Sequence, residues 1–291
     1  MRKQAEYVRD DSKSQPQFCA FETGGILSCN PRADNEKMII QIYEVQNPAE
    51  AEKLINIGVD HVGSVILSER DWKIPAVKET VELIRSSAAK SSLIPLYNSL
   101  DSVLHTLDYY QPDIVHFCEA LTDQKDVWGY CRKLVRLQEE VKKRFPQILI
   151  MRSIPIAPPA GSHLVPTLDL AKVLEPTSDY FLTDTLLIGD PDSNADSQPV
   201  QGFVGITGQT CSWHTAAELV AASNIPVILA GGISPGNVAE GILAVCPDGV
   251  DSCTWTNALD DQGVPIRFKK DIKKVEDLVA AVRKAEKTLG G

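Results

Sequence analysis

The chain has 291 residues, 43% hydrophobic and 23% charged, enough apolar material for one large core, and a barrel of roughly 250 residues plus one extension fits that length. A formal net charge of -10 excludes an electrostatic grip on nucleic acid or an anionic membrane surface, either of which needs a dense basic face. No apolar run approaches the ~20 residues that cross a bilayer, and the basic residues of MRKQAEYVRDDSKSQPQ are followed by no apolar segment, so a soluble, cytoplasmic protein is expected. The seven cysteines (Cys19, Cys29, Cys118, Cys131, Cys211, Cys246, Cys253) are scattered without a CxxC pair; no metal site or cofactor is expected, and reduced thiols are the simplest account.

Residues 1–37 are polar and turn-rich without a sustained period, which predicts an N-terminal extension ahead of a domain over 38–291. Such a segment is long enough to cap the domain or to bridge two copies in a homodimer. From Met38 onward, short β-branched runs alternate with longer amphipathic stretches. MIIQIYEV leads to a helix after Asn47-Pro48, where Asn caps and Pro takes the first helical position. DHVGSVIL precedes PAVKETVELIRSSAA, SLIPLYNS precedes SLDSVLHTLDYY, and PDIVHFCE precedes WGYCRKLVRLQEEVKKRF. QILIMRSI leads through a proline-rich loop holding His163 to TLDLAKVLE, and DYFLTDT leads through a long loop, Leu186 to Phe203, to a helix opened by Ser212 and Trp213. IPVILAGG with SPGNVAEGILAV and DGVDSC with KDIKKVEDLVAAVRKAEKTL complete eight units. Eight strictly alternating βα units favour closure into a (βα)8 barrel, whose chemistry sits at the C-terminal strand ends.

Those strand ends carry small residues where an anion is bound in many such barrels. Strand seven ends in Gly231-Gly232, with a helix expected to begin near Ser234 and Pro235. Strand eight ends at Asp251, followed by Ser252, Cys253 and Thr254, where a short helix would aim its amides at the same point. GITGQT supplies Gly205, Gly208 and Gln209 in the neighbouring loop. Three adjacent loops of this kind predict a site for a phosphorylated small molecule; tight strand-to-helix turns would also explain the glycines.

These motifs, together with FLTDT, GITGQTCSW, LAGGISPGNVAEGI and the closing KKDIKKVEDLVAAVRKAE in that order, make the chain resemble the phosphoribosylanthranilate isomerase family from about Met38 to Leu289. The resemblance implies a TIM barrel of the ribulose-phosphate-binding type and an Amadori rearrangement of a phosphoribosylated aromatic amine, a step of tryptophan biosynthesis. It implies that Asp184, at the end of strand six, is the general acid that protonates the ring oxygen as the sugar opens; a loop cap or an ion pair would also suit that residue. It matches Arg70 to an arginine that holds the substrate's aromatic carboxylate, a solvated surface charge being the plain alternative.

The pattern departs where the family's general base lies. A Lys-Ile-Cys-Gly type motif is replaced by Gln41-Ile42-Tyr43-Glu44, which puts Tyr43 at the cysteine position, and a tyrosine with a reference pKa near ~10 is a poorer base than a thiol. Strand four reads Val115-His116-Phe117-Cys118-Glu119 in place of a Gln-Leu-His-Gly run. Alternation puts His116 and Cys118 on one face, and Gln41 and Tyr43 likewise. His116 is therefore a candidate replacement base, or else a satisfied core residue. Two functions follow: an isomerase acting on a phosphoribosylated amine or related sugar phosphate with an altered base, or a barrel that binds a phosphorylated metabolite without turnover. The indole-forming chemistry of the same pathway relies on strand-borne lysines, which these strand ends do not offer.

Overall fold

A computed structural model describes residues 37–122, 125–188 and 199–289. Almost all of the anticipated extension and residues 189–198 of the loop after strand six lie outside the described residues.

The alternation resolves as β1 (Ile39–Ile42), α1 (Pro48–Ile57), β2 (His61–Ile66), α2 (Pro75–Arg85), β3 (Lys90–Pro95), α3 (Leu100–Tyr110), β4 (Ile114–Phe117) and α4 (Val127–Arg144). It continues through β5 (Leu149–Ile156), α5 (Thr167–Leu174), β6 (Tyr180–Thr185), α6 (Trp213–Ala222), β7 (Val227–Leu229), α7 (Val238–Val245) and β8 (Gly249–Ser252), and ends in α8 (Ile272–Leu289). The eight strands pair in parallel and close, β8 returning to β1 with Gln41 opposite Asp251. Local chemistry sets the ends as expected at α1, where the Asn47 side chain accepts from the Glu50 amide at 2.9 Å and Gly58 closes the helix in the left-handed region. Ser212 caps α6 in the same way, accepting from the Thr215 amide. No helix among the described residues is long and apolar enough to cross a membrane.

The structure departs from the sequence expectation in three places. A hairpin of β9 (Asn257–Leu259) and β10 (Pro265–Lys270) stands between β8 and α8. Helix α7 begins at Val238, not near Ser234, because the Asn237 side chain accepts from the Ser234 amide at 2.8 Å and holds residues 232–237 as a turn. Finally, Cys118, Cys131, Cys211 and Cys253 are free thiols, but Cys246 is disulfide-bonded, so the all-reduced expectation fails there.

Candidate active site

Strand alternation turns Gln41, Ser92, His116, Ser153, Asp184 and Asp251 toward the barrel axis, with Tyr43 at the top of β1. The Tyr43 ring lies flat against β2, where a Cβ on Gly63 would fall 2.1 Å from it, so the glycine makes room for the tyrosine. Its hydroxyl meets Ser92 Oγ at 2.5 Å and His116 Nδ1 at 2.8 Å. His116 Nε2 meets Ser153 Oγ at 2.8 Å, and Ser153 Oγ donates to Asp184 Oδ2 at 3.2 Å. The last bond fixes the sense of the rest. Having given its proton to Asp184, Ser153 must accept from Nε2–H; Nδ1 is then bare and accepts from the Tyr43 hydroxyl, which accepts from Ser92. A hydrogen-bonded wire thus crosses the barrel from β3 through β1, β4 and β5 to Asp184 on β6.

Burial drives the titration of this wire. It raises the Asp184 carboxyl to about 7, against the opposing bonds from Ser153 and the Thr185 amide, and it lowers His116 to about 3, helped by the nearby Arg152 charge. Burial also lifts the Tyr43 phenol well above its ordinary value. At neutral pH His116 and Tyr43 are uncharged, with their lone pairs and protons committed to one another.

Above the wire lies a cleft at the C-terminal strand ends, partly open to solvent. Tyr43, His116, Cys118, Asp184, Gly205, Gly208, Gly231, Gly232, Asp251 and Cys253 all line it, whereas Arg70, Gln209 and Ser252 do not. Arg70 is exposed in the loop after β2, its amide donating to Ser68 Oγ. Gln209 contributes its carbonyl, which accepts from Thr185 Oγ1 at 2.7 Å. Ser252 Oγ donates to the Ile233 carbonyl at 2.7 Å, and Trp255 Nε1 donates to the Gly208 carbonyl at 2.8 Å. The loops after β6, β7 and β8 are therefore stitched into one rim. Within it the amides of Gly231, Gly232, Cys253 and Thr254 donate to no acceptor among the described residues, leaving N–H groups to receive an anion. The expected helix after β8 is a single 3-10 turn, Thr254–Thr256.

Gly205 has φ +99°, and a Cβ there would lie 2.8 Å from Asp184 Oδ2, so this glycine lets the backbone pass over the acid. At the end of β1, Glu44 is 1% exposed, has φ 65°, and pairs with Arg267 of the hairpin, whose Nε donates to Glu44 Oε1 at 2.7 Å. Ile206, at φ 61°, is a second residue without a glycine's freedom that is held left-handed beside the cleft. Backbone strain of this kind gathers where a site dictates the chain's path.

Sequence reasoning missed Ser92, Ser153, Glu44 and Arg267. The two serines carried a signal, since each is a polar residue at an inward position of an otherwise apolar strand. Glu44 and Arg267 carried none, since their pairing joins β1 to a hairpin more than two hundred residues away.

No protein-family model matches the chain. It is 26% identical over 249 residues to an N-(5'-phosphoribosyl)anthranilate isomerase from Methanothrix thermoacetophila, covering 85% of this chain and 99% of that one. Among solved structures, the phosphoribosylanthranilate isomerase from Thermotoga maritima superposes with a TM-score of 0.57 at 17% identity, over 85% of this chain and 100% of that one. A phosphoribosylanthranilate isomerase in complex with reduced 1-(o-carboxyphenylamino)-1-deoxyribulose 5-phosphate gives 0.57 at 16% identity, again over 85% and 100%. At such identities the superpositions speak for the barrel fold.

Proposed function

We propose that this chain, a divergent member of the phosphoribosylanthranilate isomerase family, catalyses the ring-opening isomerisation of a phosphoribosylated aromatic amine to the corresponding ketose. One observation carries this reading. Asp184, a carboxyl whose pKa burial raises to about 7, faces a cleft whose rim offers unused backbone amides from two neighbouring strand ends. A proton donor within reach of an anchored ribosyl phosphate is what ring opening requires. The phosphate rests on the amides around Gly231, Gly232, Cys253 and Thr254, and the amine's ring packs among Ile94, Leu96, Phe203 and Ile206.

The base at the strand-one end is altered. Tyr43 stands at the cysteine position of that motif and His116, on β4, is the candidate replacement base, but the wire engages both nitrogens of His116 and the Tyr43 hydroxyl, which favours a role in positioning Ser153 and Asp184. The same locking supports the second reading, a barrel that binds a phosphorylated metabolite without turning it over.

The test is turnover of phosphoribosylanthranilate generated in situ, followed by loss of its fluorescence, with Asp184→Asn beside the parent. Turnover that falls by about 10²–10⁴-fold in the variant is the expected result. Absence of turnover by the parent, with tight binding of the phosphorylated ligand, would replace the isomerase by the binding protein.

A further inference from the structure

The isomerisation needs a proton taken from C2 of the sugar as well as one given to the ring oxygen, and the cleft holds a group suited to the first task. Asp251 projects from β8, lines the same cleft as Asp184 and is 8% exposed. Its Oδ1 accepts from Gln41 Nε2 at 3.1 Å, while Oδ2 accepts no hydrogen bond among the described residues and is not sealed from the cleft. Gln41 is itself fixed by His61 Nδ1, which reaches its Oε1 at 3.2 Å, so the amide must present its NH2 to the carboxylate. A neutral amide thus orients Asp251 at a position where the resembled motif has lysine, and a carboxylate bonded by an amide is a stronger base than one bonded by an ammonium; the charge of Lys270 acts on it only as the last of the causes, behind burial. The other candidates fare worse: Tyr43 and His116 are committed to the wire, and burial pushes the Cys118 thiol well above its ordinary value.

We propose that Asp251 is the general base of this site, working opposite Asp184 as the acid. The assignment rests on the isomerase reading. Asp184 gives its proton to the ring oxygen, the bond from C1 to that oxygen breaks, and the nitrogen lone pair forms the C1=N bond of an open-chain iminium. Asp251 then takes the proton from C2. The C2–H electron pair becomes the C1=C2 bond, the nitrogen recovers its lone pair, and the enaminol so formed tautomerises to the ketone by exchanging protons with water. Asp184 ends as carboxylate and Asp251 as carboxylic acid, and one proton passing from the second to the first, directly or through water, resets the pair. The resting state suits this exchange: burial raises both groups to about 7, and the charge of Asp184 adds to the rise at Asp251. Near neutrality each carboxyl is close to the midpoint of its titration, so both giving and taking a proton lie within its range.

The experiment follows the parent, Asp251→Asn and Asp184→Asn on phosphoribosylanthranilate with two readouts, ketose formation and trapping of the open-chain imine by cyanoborohydride. Asp251→Asn is expected to lose about 10²–10⁴-fold in ketose formation while trapping more imine than the parent. Asp184→Asn is expected to trap none above the uncatalysed background. A purely structural role for Asp251 would depress both readouts together and so overturn the assignment. Affinity for the reduced product analogue checks the fold of the variant; should that be lost, Asp251→Glu, which keeps a carboxylate, must retain at least tenfold more ketose formation than Asp251→Asn, and failure to do so overturns the assignment. Ketose formation by Asp251→Asn within threefold of the parent also overturns it and leaves the isomerase reading standing, whereas a parent that forms no ketose overturns that reading itself.

Discussion

Replacing Asp184 by Asn should stabilise the protein above neutral pH while abolishing turnover. The carboxyl titrates at about 7 in the folded chain against 3.8 for an unperturbed aspartate. A raised folded pKa means that the native state holds the proton more tightly than the unfolded chain does. The resulting stability is fully present below pH ~4 and is lost as pH rises through 7. Some three pH units at 1.36 kcal/mol each set a ceiling of about 4 kcal/mol on the loss, and solvent contact at the half-buried carboxyl reduces it to about 2 kcal/mol. Asparagine has nearly the same shape, can still accept from the Thr185 amide, which lies 3.1 Å from Asp184 Oδ1, and does not titrate. At pH 8 the variant should therefore melt about 4–8 °C above the parent, and at pH 4.5 the difference should shrink to a degree or two. Thermal melts of both proteins at the two pH values, with urea midpoints as a second probe, make the measurement. Equal stability at pH 8, or the same gain at both pH values, would refute the claim that burial of a charge at this site limits stability.

Gln41→Lys should place a cation beside Asp251, lower its pKa from about 7 and move the ascending limb of the kcat/KM pH profile at least one unit toward acid; an unmoved limb would show that the limb belongs to another group. The charged and titratable neighbours in that balance are Asp184 and Lys270. Gly205→Ala should put a methyl group against the Asp184 carboxylate at a φ of +99°, costing about 1–2 kcal/mol in strain and lowering kcat at least tenfold at little change in KM, as read by steady-state kinetics and melting. Tyr43→Phe should leave Ser92 Oγ and His116 Nδ1 without their shared partner and destabilise by about 1–3 kcal/mol, yet cost less than tenfold in kcat; a loss beyond a thousandfold with analogue binding intact would return the base role to Tyr43.

The barrel was legible because closure is a property of repetition. Eight buried strands such as His61–Ile66, sealed on every position, leave the same apolar signature whether or not their partners are known, and caps such as Asn47 and Ser212 are local. The glycine-rich loops after strands six to eight were legible for the same reason, since glycines at strand ends act through their own backbone. Arg70 was named by motif matching, which fixes a residue's position along the chain but not the direction of a side chain on an exposed loop. The hairpin of β9 and β10 was missed because its first strand has three residues and its charges alternate like those of a solvated loop. Most of what the wire does was illegible, since no spacing within the chain says that Tyr43, His116, Ser153 and Asp184 meet; only their placement on strands one, four, five and six of a closed barrel does.

The charge pattern of the cleft sets how it can recognise a ligand. Glu44, Asp184 and Asp251 line it, and no lysine or arginine does among the described residues. A phosphate entering this field is opposed by any ionised carboxylate and must be held by N–H dipoles, whose hold depends on the backbone keeping its path. The restraints around the rim serve that end: the Ser252 and Trp255 bonds that stitch the three loops, the left-handed Ile206, and the Arg267–Glu44 pair that pins the hairpin to β1 and offsets one of the three negative charges. Protonation of Asp184 or Asp251, each raised to about 7 by burial, removes a second. A dianionic ligand would therefore be admitted best while such a proton is present, and on the proposed isomerase reading that protonated state is also the one able to open the sugar ring.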